Sequence, residues 1–188
     1  MNEIAQIEPI DYLVIGHVTQ DVVAGGFALG GTASFAALTA AALGLRVGIV
    51  TSCAADLALP ELEGITIIRK DAAWSTTFEN RYSDGQRTQT LHHQAEKITP
   101  ADVPAPWLNT PIVHLGPVAQ ELDAALAAIF PHSFIGVTPQ GWLRTCDGQK
   151  RVFPCRWQNA AEVLNHCSVA VLSLEDVQGE EDEIQEFS

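Results

Sequence analysis

The sequence predicts an α/β fold with a mostly parallel sheet and a small β excursion. Short apolar runs that stop at glycine or at polar residues recur along the chain, an alanine-rich run separates the first two of them, and one polar, alternating stretch interrupts the rhythm. The chain has 188 residues, of which 47% are apolar and 18% are charged. This length and composition suit one domain with a core rather than a disordered chain. We therefore predict a single domain, residues 1–188, with the excursion at about 17–29 and 74–93.

The N-terminal part predicts a parallel crossover. Residues 11–16 (DYLVIG) and 46–51 (RVGIVT) have the pattern of buried strands. The residues between them at 33–43 are strong helix formers, and Gly44 suits the position just after a helix. Strand, helix and strand with short links indicate a right-handed parallel unit. A third strand is predicted at 65–68.

Residues 75–91 (STTFENRYSDGQRTQTL) predict a β-hairpin. Polar and apolar residues alternate roughly every second position around Ser83-Asp84-Gly85, and Asp-Gly is typical of a two-residue hairpin turn. A hairpin so rich in Thr, Gln, Asn and Arg is too polar for an α/β core. We expect it to project from the core as a flap or lid.

After the hairpin, the alternation of strands and helices resumes. We predict strands at 112–115, 134–137 and 169–172, helices at 119–130 and 159–165, and a loop at 139–144. Residues 175–188 contain seven acids and no base. Such a run is typical of a solvated helix face or tail.

Composition also excludes several classes of function. A formal net charge of −13 argues against non-specific nucleic-acid binding, which requires a cationic surface. Apolar stretches are broken well before the length of a membrane span, and the N-terminus has acids before its first apolar run, so neither a membrane segment nor a signal peptide is expected. We expect a cytoplasmic protein. The four cysteines are far apart, and the adjacent His92 and His93 would face opposite sides of a strand, so no zinc site is predicted.

The segments that follow the predicted strands form a candidate binding rim. They are GHVTQD, TSCAAD, GPVAQE, TPQGWLR and SLED. In open parallel sheets, ligands bind outside the carboxyl ends of the strands. Because most of these segments carry polar or charged groups, the sequence predicts a ligand site at this edge of the sheet.

The glycine-rich stretch GGFALGGTASF has the spacing of a phosphate-binding loop but not its chemistry. Gly31 stands where such a loop needs lysine, and Gly16, not Gly25, follows the first strand. What remains is the pair Gly30-Gly31 before a helix, where a ligand could approach the backbone closely. With Asp21 nearby, this arrangement suits a polyhydroxylated ligand. A glycine turn for close helix packing and a solvated Asp21 are the alternative interpretation.

The order of these motifs resembles the ribokinase-like, PfkB-type family of carbohydrate kinases, over nearly the whole chain. The matching features are the G-x-x-x-x-D stretch from Gly16 to Asp21, the Gly30-Gly31 pair, the helix ending in ALGL, the strand VGIVTS, the lid opening STTF, and SLED where the family often has Asn-x-x-Glu. The segments GGTASFAA and VTPQGWLR are similar to the inositol-kinase-like and uncharacterised branch. The resemblance implies a three-layer sandwich with a mostly parallel central sheet, a small β lid and a missing C-terminal part.

The resemblance also implies site residues. Asp21 and the backbone of Gly30 and Gly31 would bind hydroxyls of the acceptor, and the lid that begins near Phe78 would cover it. Gln140 and Arg144 would point into the same cleft. Ser173 and Asp176 would lie at the nucleotide, with Asp176 near the metal. One position departs from the family: Phe35 stands where many relatives carry a substrate-contacting asparagine, which argues against a simple sugar such as ribose.

The family's C-terminal Gly-Ala-Gly-Asp motif, which supplies the catalytic base, does not occur in this sequence, so no catalytic residue is assigned. The resemblance implies that the parent protein uses ATP and Mg²⁺ to phosphorylate a hydroxyl of a sugar, polyol or nucleoside, and that this chain alone is inactive. Homodimerisation through the lid is a further arrangement that it implies. The alternative is a non-catalytic relative that binds a small molecule or a partner.

Overall fold

A computed structural model describes residues 7–177. The predicted acidic segment 175–188 lies outside the described residues from position 178 onward. The strands are β1 (Tyr12–Ile15), β2 (Thr19–Val23), β3 (Gly26–Gly30), β4 (Val47–Ala54), β5 (Thr66–Ala72), β6 (Thr77–Ser83), β7 (Gln86–His93), β8 (Ile112–Leu115), β9 (Phe134–Val137), β10 (Arg144–Cys146), β11 (Val152–Pro154) and β12 (Val169–Ala170). The α-helices are α1 (Thr32–Ala42) and α2 (Ala160–Leu164), and short 3₁₀ helices cover Pro60–Leu62, Pro100–Asp102, Ala105–Trp107, Ala124–Ile129 and Pro139–Gly141.

The central sheet has six strands in the order β12-β9-β8-β1-β4-β5, and every pairing in it is parallel. A second sheet has the order β3-β2-β6-β7, and β10 and β11 form a separate hairpin. The chain leaves the central sheet after β1, forms the β2–β3 hairpin, and returns through α1 to β4. The predicted α/β fold with a mostly parallel sheet is therefore confirmed.

Successive side chains of the central strands point to opposite faces of the sheet, so the core is divided into two layers. Leu13 and Ile15 point to one face, where they pack in a cluster with Trp107 and Phe130. Val14 points to the other face and packs with α1 through small residues such as Ala33 and Ala37. Alanine side chains allow a helix to approach the sheet closely, so the N-terminus of α1 is held close to the end of β1.

The β6–β7 hairpin has the predicted turn. Asp84 and Gly85 both have positive φ, 52° and 76°, which is the conformation that Asp-Gly favours in a two-residue turn. In the second sheet β6 pairs with β2. The polar hairpin and the β2–β3 hairpin therefore form one continuous surface, whose inner side is described below.

Two sequence predictions are corrected. The helix predicted at 119–130 does not form; helical turns occur only at Ala124–Ile129, as a 3₁₀ helix. Gln120 has φ 62°, and the side chain of Glu121 binds the N–H groups of Val118 and Ala119, so this segment is a tight loop. The strand predicted at 169–172 is confined to Val169–Ala170.

Within residues 7–177, none of the helices has the length and apolarity needed to span a membrane.

His114 on β8 gives the fold a predicted pH dependence. Its Nδ1 lies 2.7 Å from the hydroxyl of Tyr12, and its Nε2 lies 3.0 Å from Oγ1 of Thr138. Burial lowers the pKa of His114 from 6.5 to about 4. Below pH 6.5 His114 is protonated in the unfolded chain, whereas in the folded protein it stays neutral down to about pH 4. The free energy of unfolding therefore decreases as the pH falls from 6.5 toward 4.

We expect this group to contribute a loss of about 2 kcal/mol in the free energy of unfolding between pH 8 and pH 5. Urea unfolding of the parent and of His114→Gln at several pH values measures it. The variant should lose about that much less on acidification, whereas the exposed-site control His132→Gln should behave like the parent. Equal pH slopes for the parent and His114→Gln would contradict the assignment.

Candidate functional site

A cavity of about 680 Å³ lies between α1 and the second sheet. Its walls come from the inner side of β2, β6 and β7, from one side of α1, and from the segments that follow β8 and β9. The part of the cavity near Asp21, Gln140 and Arg144 lies at the edge of the central sheet where the strands end, which is where a ligand is expected in an open parallel sheet. The cavity also extends along α1 toward Tyr12 and Ile112, the first residues of β1 and β8. The volume suits one small molecule.

The structure brings most of the sequence-predicted binding residues to this cavity. The residues that line it include Asp21, Gly31, Phe35, Phe78, Gln140 and Arg144. Gly30 lies directly behind Asp21: a Cβ atom at Gly30 would be 2.7 Å from Oδ2 of Asp21 and 2.6 Å from Oγ1 of Thr19. Glycine is thus required there to leave room for the carboxylate. The roles of these residues in binding stay predictions.

The two residues predicted at the nucleotide lie to one side. Asp176 lines a smaller cleft of about 210 Å³ together with Glu175, Arg87 and Arg144. Ser173 is bound to Asp176: its backbone N–H and its hydroxyl donate to Oδ2 at 2.8 and 2.9 Å. The described residues contain no group of three or more His, Cys, Asp or Glu side chains arranged to hold a metal ion.

Strand register explains why polar groups share the inner side of the second sheet. Asp21 is opposite Phe78 across β2 and β6. Phe78 is opposite Leu91, and Asn80 is opposite Gln89, across β6 and β7. Cross-strand partners point to the same side of a sheet, and so do residues two apart along one strand. Alternate residues of three strands therefore face the cavity.

Asp21 contributes a carboxylate to the wall of the cavity. Within residues 7–177, it accepts no side-chain hydrogen bond and forms no ion pair, and partial burial raises its pKa while the charges of Arg87 and Arg144 oppose that rise. Beside it, Thr19 lines the same cavity, but its hydroxyl oxygen is buried from solvent and has no hydrogen-bond partner among residues 7–177. Buried polar groups in folded proteins normally have partners. The carboxylate of Asp21 is therefore the acceptor that is suited to ligand hydroxyls.

The turn before α1 shapes the other wall. Gly31 has φ 89°, a conformation that favours glycine, and a Cβ atom there would lie 2.5 Å from the carbonyl oxygen of His17. The next turn of α1 carries Phe35, which is 58% exposed. Phe35 therefore gives the cavity an apolar edge at the position where the sequence departs from the pattern of the family that it resembles.

Arg144 is fixed from three directions. Its Nε and Nη2 donate to the carbonyl oxygen of Val118, and its Nη1 donates to Oε1 of Gln89 at 2.9 Å. The guanidinium carbon also lies 4.9 Å from the centre of the Phe78 ring, a cation–π contact. Burial lowers the pKa of Arg144 to about 10, so the side chain remains cationic at neutral pH.

Four further residues of the site were missed from the sequence. Asn80, Arg87 and Gln89 line the cavity, and the alternation of side chains along the hairpin would have placed them on the same side as Phe78. The fourth, Glu121, is buried, and its carboxylate accepts from the N–H groups of His17, Val118 and Ala119. It thereby joins the loops after β1 and β8. Its position shortly after the predicted strand at 112–115 could have identified Glu121 as a candidate site residue.

Comparisons with known proteins show the fold. No protein-family model and no curated protein matches the sequence. A solved pyrophosphate-dependent kinase in the ribokinase family, complexed with a pyrophosphate analog and myo-inositol, matches with a TM-score of 0.74 and 21% identity, covering 93% of this chain and 66% of that one.

Two more distant structures agree. An uncharacterized sugar kinase from Pyrococcus horikoshii matches with a TM-score of 0.65 and 14% identity, covering 92% of this chain and 66% of that chain. Arabidopsis thaliana ribokinase, complexed with ribose and ATP, matches with a TM-score of 0.59 and 12% identity, covering 96% and 70%. The chain therefore has the ribokinase fold, as the order of its motifs predicted, and spans about two thirds of the length of these structures.

Proposed function

We propose that this chain is the acceptor-binding part of a carbohydrate kinase that transfers a phosphoryl group to a hydroxyl of a sugar, polyol or nucleoside. The observation that carries the proposal is the Asp21 carboxylate, which lines a cavity of small-molecule size and has no side-chain hydrogen bond or ion pair among residues 7–177. A carboxylate can accept hydrogen bonds from two hydroxyls. Polyols and sugars present such hydroxyls side by side.

In this proposal each wall has a separate task. Asp21 accepts hydrogen bonds from the acceptor's hydroxyls, and Gln140 and Arg144 bind its other oxygens. Phe35 packs against the carbon skeleton. The second sheet acts as the lid over the bound acceptor, which excludes water from a phosphoryl group that would otherwise be hydrolysed.

The outer side of the second sheet is the surface through which we propose homodimerisation. Phe27 and Trp74 are both 61% exposed and line one depression on this side. Pairing with a second copy would bury this apolar surface. Such pairing would also hold both lids in place.

The donor site is proposed at Ser173 and Asp176. With Oδ2 of Asp176 already bound to Ser173, the other carboxylate oxygen remains for a cation. Mg²⁺ is commonly held by one or two carboxylates together with substrate phosphates, so a single aspartate fits this mode. Of the similar structures, one contains ATP and another contains a pyrophosphate analog. We propose ATP as the donor, with pyrophosphate tested beside it.

Calorimetric titration with myo-inositol, glucitol, ribose and adenosine tests acceptor binding. We expect at least one of these compounds to bind in the micromolar to millimolar range. Incubation with Mg²⁺ and either ATP or pyrophosphate, followed by phosphorus NMR, tests transfer, and we expect none from this chain alone because the Gly-Ala-Gly-Asp motif does not occur in its sequence. Acceptor binding without any donor binding would favour the non-catalytic relative, and the absence of binding to every polyol, sugar and nucleoside would overturn the proposal.

A further inference from the structure

Two arginines in the cavity are linked through amide side chains rather than through carboxylates. The Nε of Arg87 and the Nε2 of Gln89 both donate to Oδ1 of Asn80, at 3.0 and 2.9 Å. Oε1 of Gln89 accepts from Nη1 of Arg144. The four side chains form one chain of hydrogen bonds, with a guanidinium at each end. Each guanidinium is oriented by neutral acceptors that leave its charge in place.

The lining of the cavity carries two bases and one acid, in a protein that is strongly acidic as a whole. Among the residues that line it, Arg87 and Arg144 are the bases and Asp21 is the acid. Within residues 7–177, Arg144 forms no ion pair at all. For Arg87 the nearest carboxylate oxygen belongs to Glu175, at 4.0 Å, and that side chain is 88% exposed, so water screens the pair. The charges of Glu121 and Asp176 also act on Arg144, but neither carboxylate forms an ion pair with it among residues 7–177, so the free N–H donors of both arginines stay available to a ligand beside Asp21.

Guanidinium groups that are held in place and retain free N–H donors bind planar or tetrahedral oxyanions better than they bind neutral hydroxyls. Toward residues 7–177, Arg144 uses its Nε and one N–H on each terminal nitrogen, which leaves two donors, and Arg87 uses only its Nε in a hydrogen bond. The free donors belong to side chains of the same cavity wall, next to the carboxylate that would bind hydroxyls.

We infer that Arg87 and Arg144 form an oxyanion subsite, and that the acceptor is an acidic polyol that carries a carboxylate or phosphoryl group in addition to its hydroxyls. The inference rests on the proposed function and narrows it, because hydroxyls bind at Asp21 while the anion binds at the arginines. A neutral polyol would fill only the first half of the site. The subsite also explains why a carboxylate and two arginines lie in one cavity without forming a close ion pair.

Matched ligands test the inference. Gluconate differs from glucitol, and glucuronate from glucose, mainly by a carboxylate in place of a hydroxymethyl group. We expect the acidic member of at least one pair to bind about tenfold more tightly than its neutral twin, the difference expected of one charge-assisted contact. Ligands with a carboxylate are used rather than phosphorylated polyols, because a phosphorylated polyol is also the product of the proposed reaction and could bind for that reason.

Arginine variants test whether the preference for acidic ligands depends on this subsite. Arg87→Gln should reduce the acid-to-neutral ratio to about threefold or less, because the acidic ligand loses more affinity than its neutral twin. Arg81→Gln is the matched control: Arg81 lies on the same hairpin but is bound to Glu79 and is 76% exposed. It should leave the ratio unchanged. Thermal unfolding of both variants establishes that they are folded.

Four outcomes would overturn the inference. If neutral polyols bind and their acidic twins bind no more tightly, or if the preference survives in Arg87→Gln, the subsite fails while the proposed function stands. If pyrophosphate competes with gluconate and loses affinity in Arg87→Gln, the arginines belong to the donor. If neither neutral nor acidic polyols bind, the proposed function fails as well.

Discussion

Replacing Asp21 by asparagine is expected to weaken polyol binding about 100-fold. The carboxylate has no side-chain hydrogen-bond partner or ion pair among residues 7–177, so both of its oxygens are available to ligand hydroxyls. Asparagine preserves the shape but turns one acceptor into a donor and removes the charge. Hydrogen bonds to a charged group contribute about 1.5–3 kcal/mol, and the upper half of this range corresponds to the expected loss. Calorimetry with the tightest-binding polyol of the panel measures it.

The same variant should not destabilise the fold. Partial burial raises the pKa of Asp21, which means that the native environment disfavours the charged carboxylate. We therefore expect Asp21→Asn to unfold at the same temperature as the parent or at a higher one. Asp71→Asn, at an exposed position of β5, is the control and should leave both affinity and unfolding unchanged. Polyol affinity within threefold of the parent in Asp21→Asn would remove Asp21 from the site.

The site residues that could be predicted from the sequence are those whose role depends on neighbouring residues in the chain. Gly30, Gly31 and Asp21 lie within a dozen residues, and glycine pairs before a helix have a direct conformational cause. In the structure that cause is visible: one glycine makes room for the carboxylate, and the other adopts a positive φ. Local patterns of this type can be interpreted without tertiary information.

Residues whose role depends on register were not found. Arg87 and Gln89 lie on a strand that was predicted correctly, but their position in the cavity requires the pairing of β7 with β6 and of β6 with β2. The two hairpins are far apart in sequence, and β-strand side chains change sides with every residue. Alternation showed which residues share a side, and only the sheet order showed which side faces the cavity.

The failed helix at 119–130 has a different cause. The composition is rich in Ala and Leu, which favours a helix locally. The carboxylate of Glu121 instead binds the backbone N–H groups of the preceding residues, and the polar loop is fixed by contacts with the end of β1, which is more than 100 residues away in sequence. Propensity is a weak prior, and here a buried polar contact that spans the chain overrides it.

Glu121→Gln is expected to cause the largest loss of stability, about 4 kcal/mol in the free energy of unfolding. Both carboxylate oxygens accept from backbone N–H groups: Oε1 from His17 at 3.2 Å, and Oε2 from Ala119 at 2.6 Å, with Val118 donating to both oxygens. In glutamine the NH₂ group would face N–H donors, so the buried donors on one side lose their acceptor. Leaving buried donors unsatisfied beside a lost charge costs several kcal/mol.

For a chain of this size such a loss lowers the unfolding temperature by about 10 °C. Thermal unfolding measures it, with Glu96→Gln as the control because the side chain of Glu96 is exposed and should tolerate the change. The loss should also reach the site, since the carbonyl of Val118 positions Arg144. At temperatures where Glu121→Gln is folded, we expect severalfold weaker binding of acidic polyols. An unfolding temperature within 2 °C of the parent would show that Glu121 does not fix the two loops.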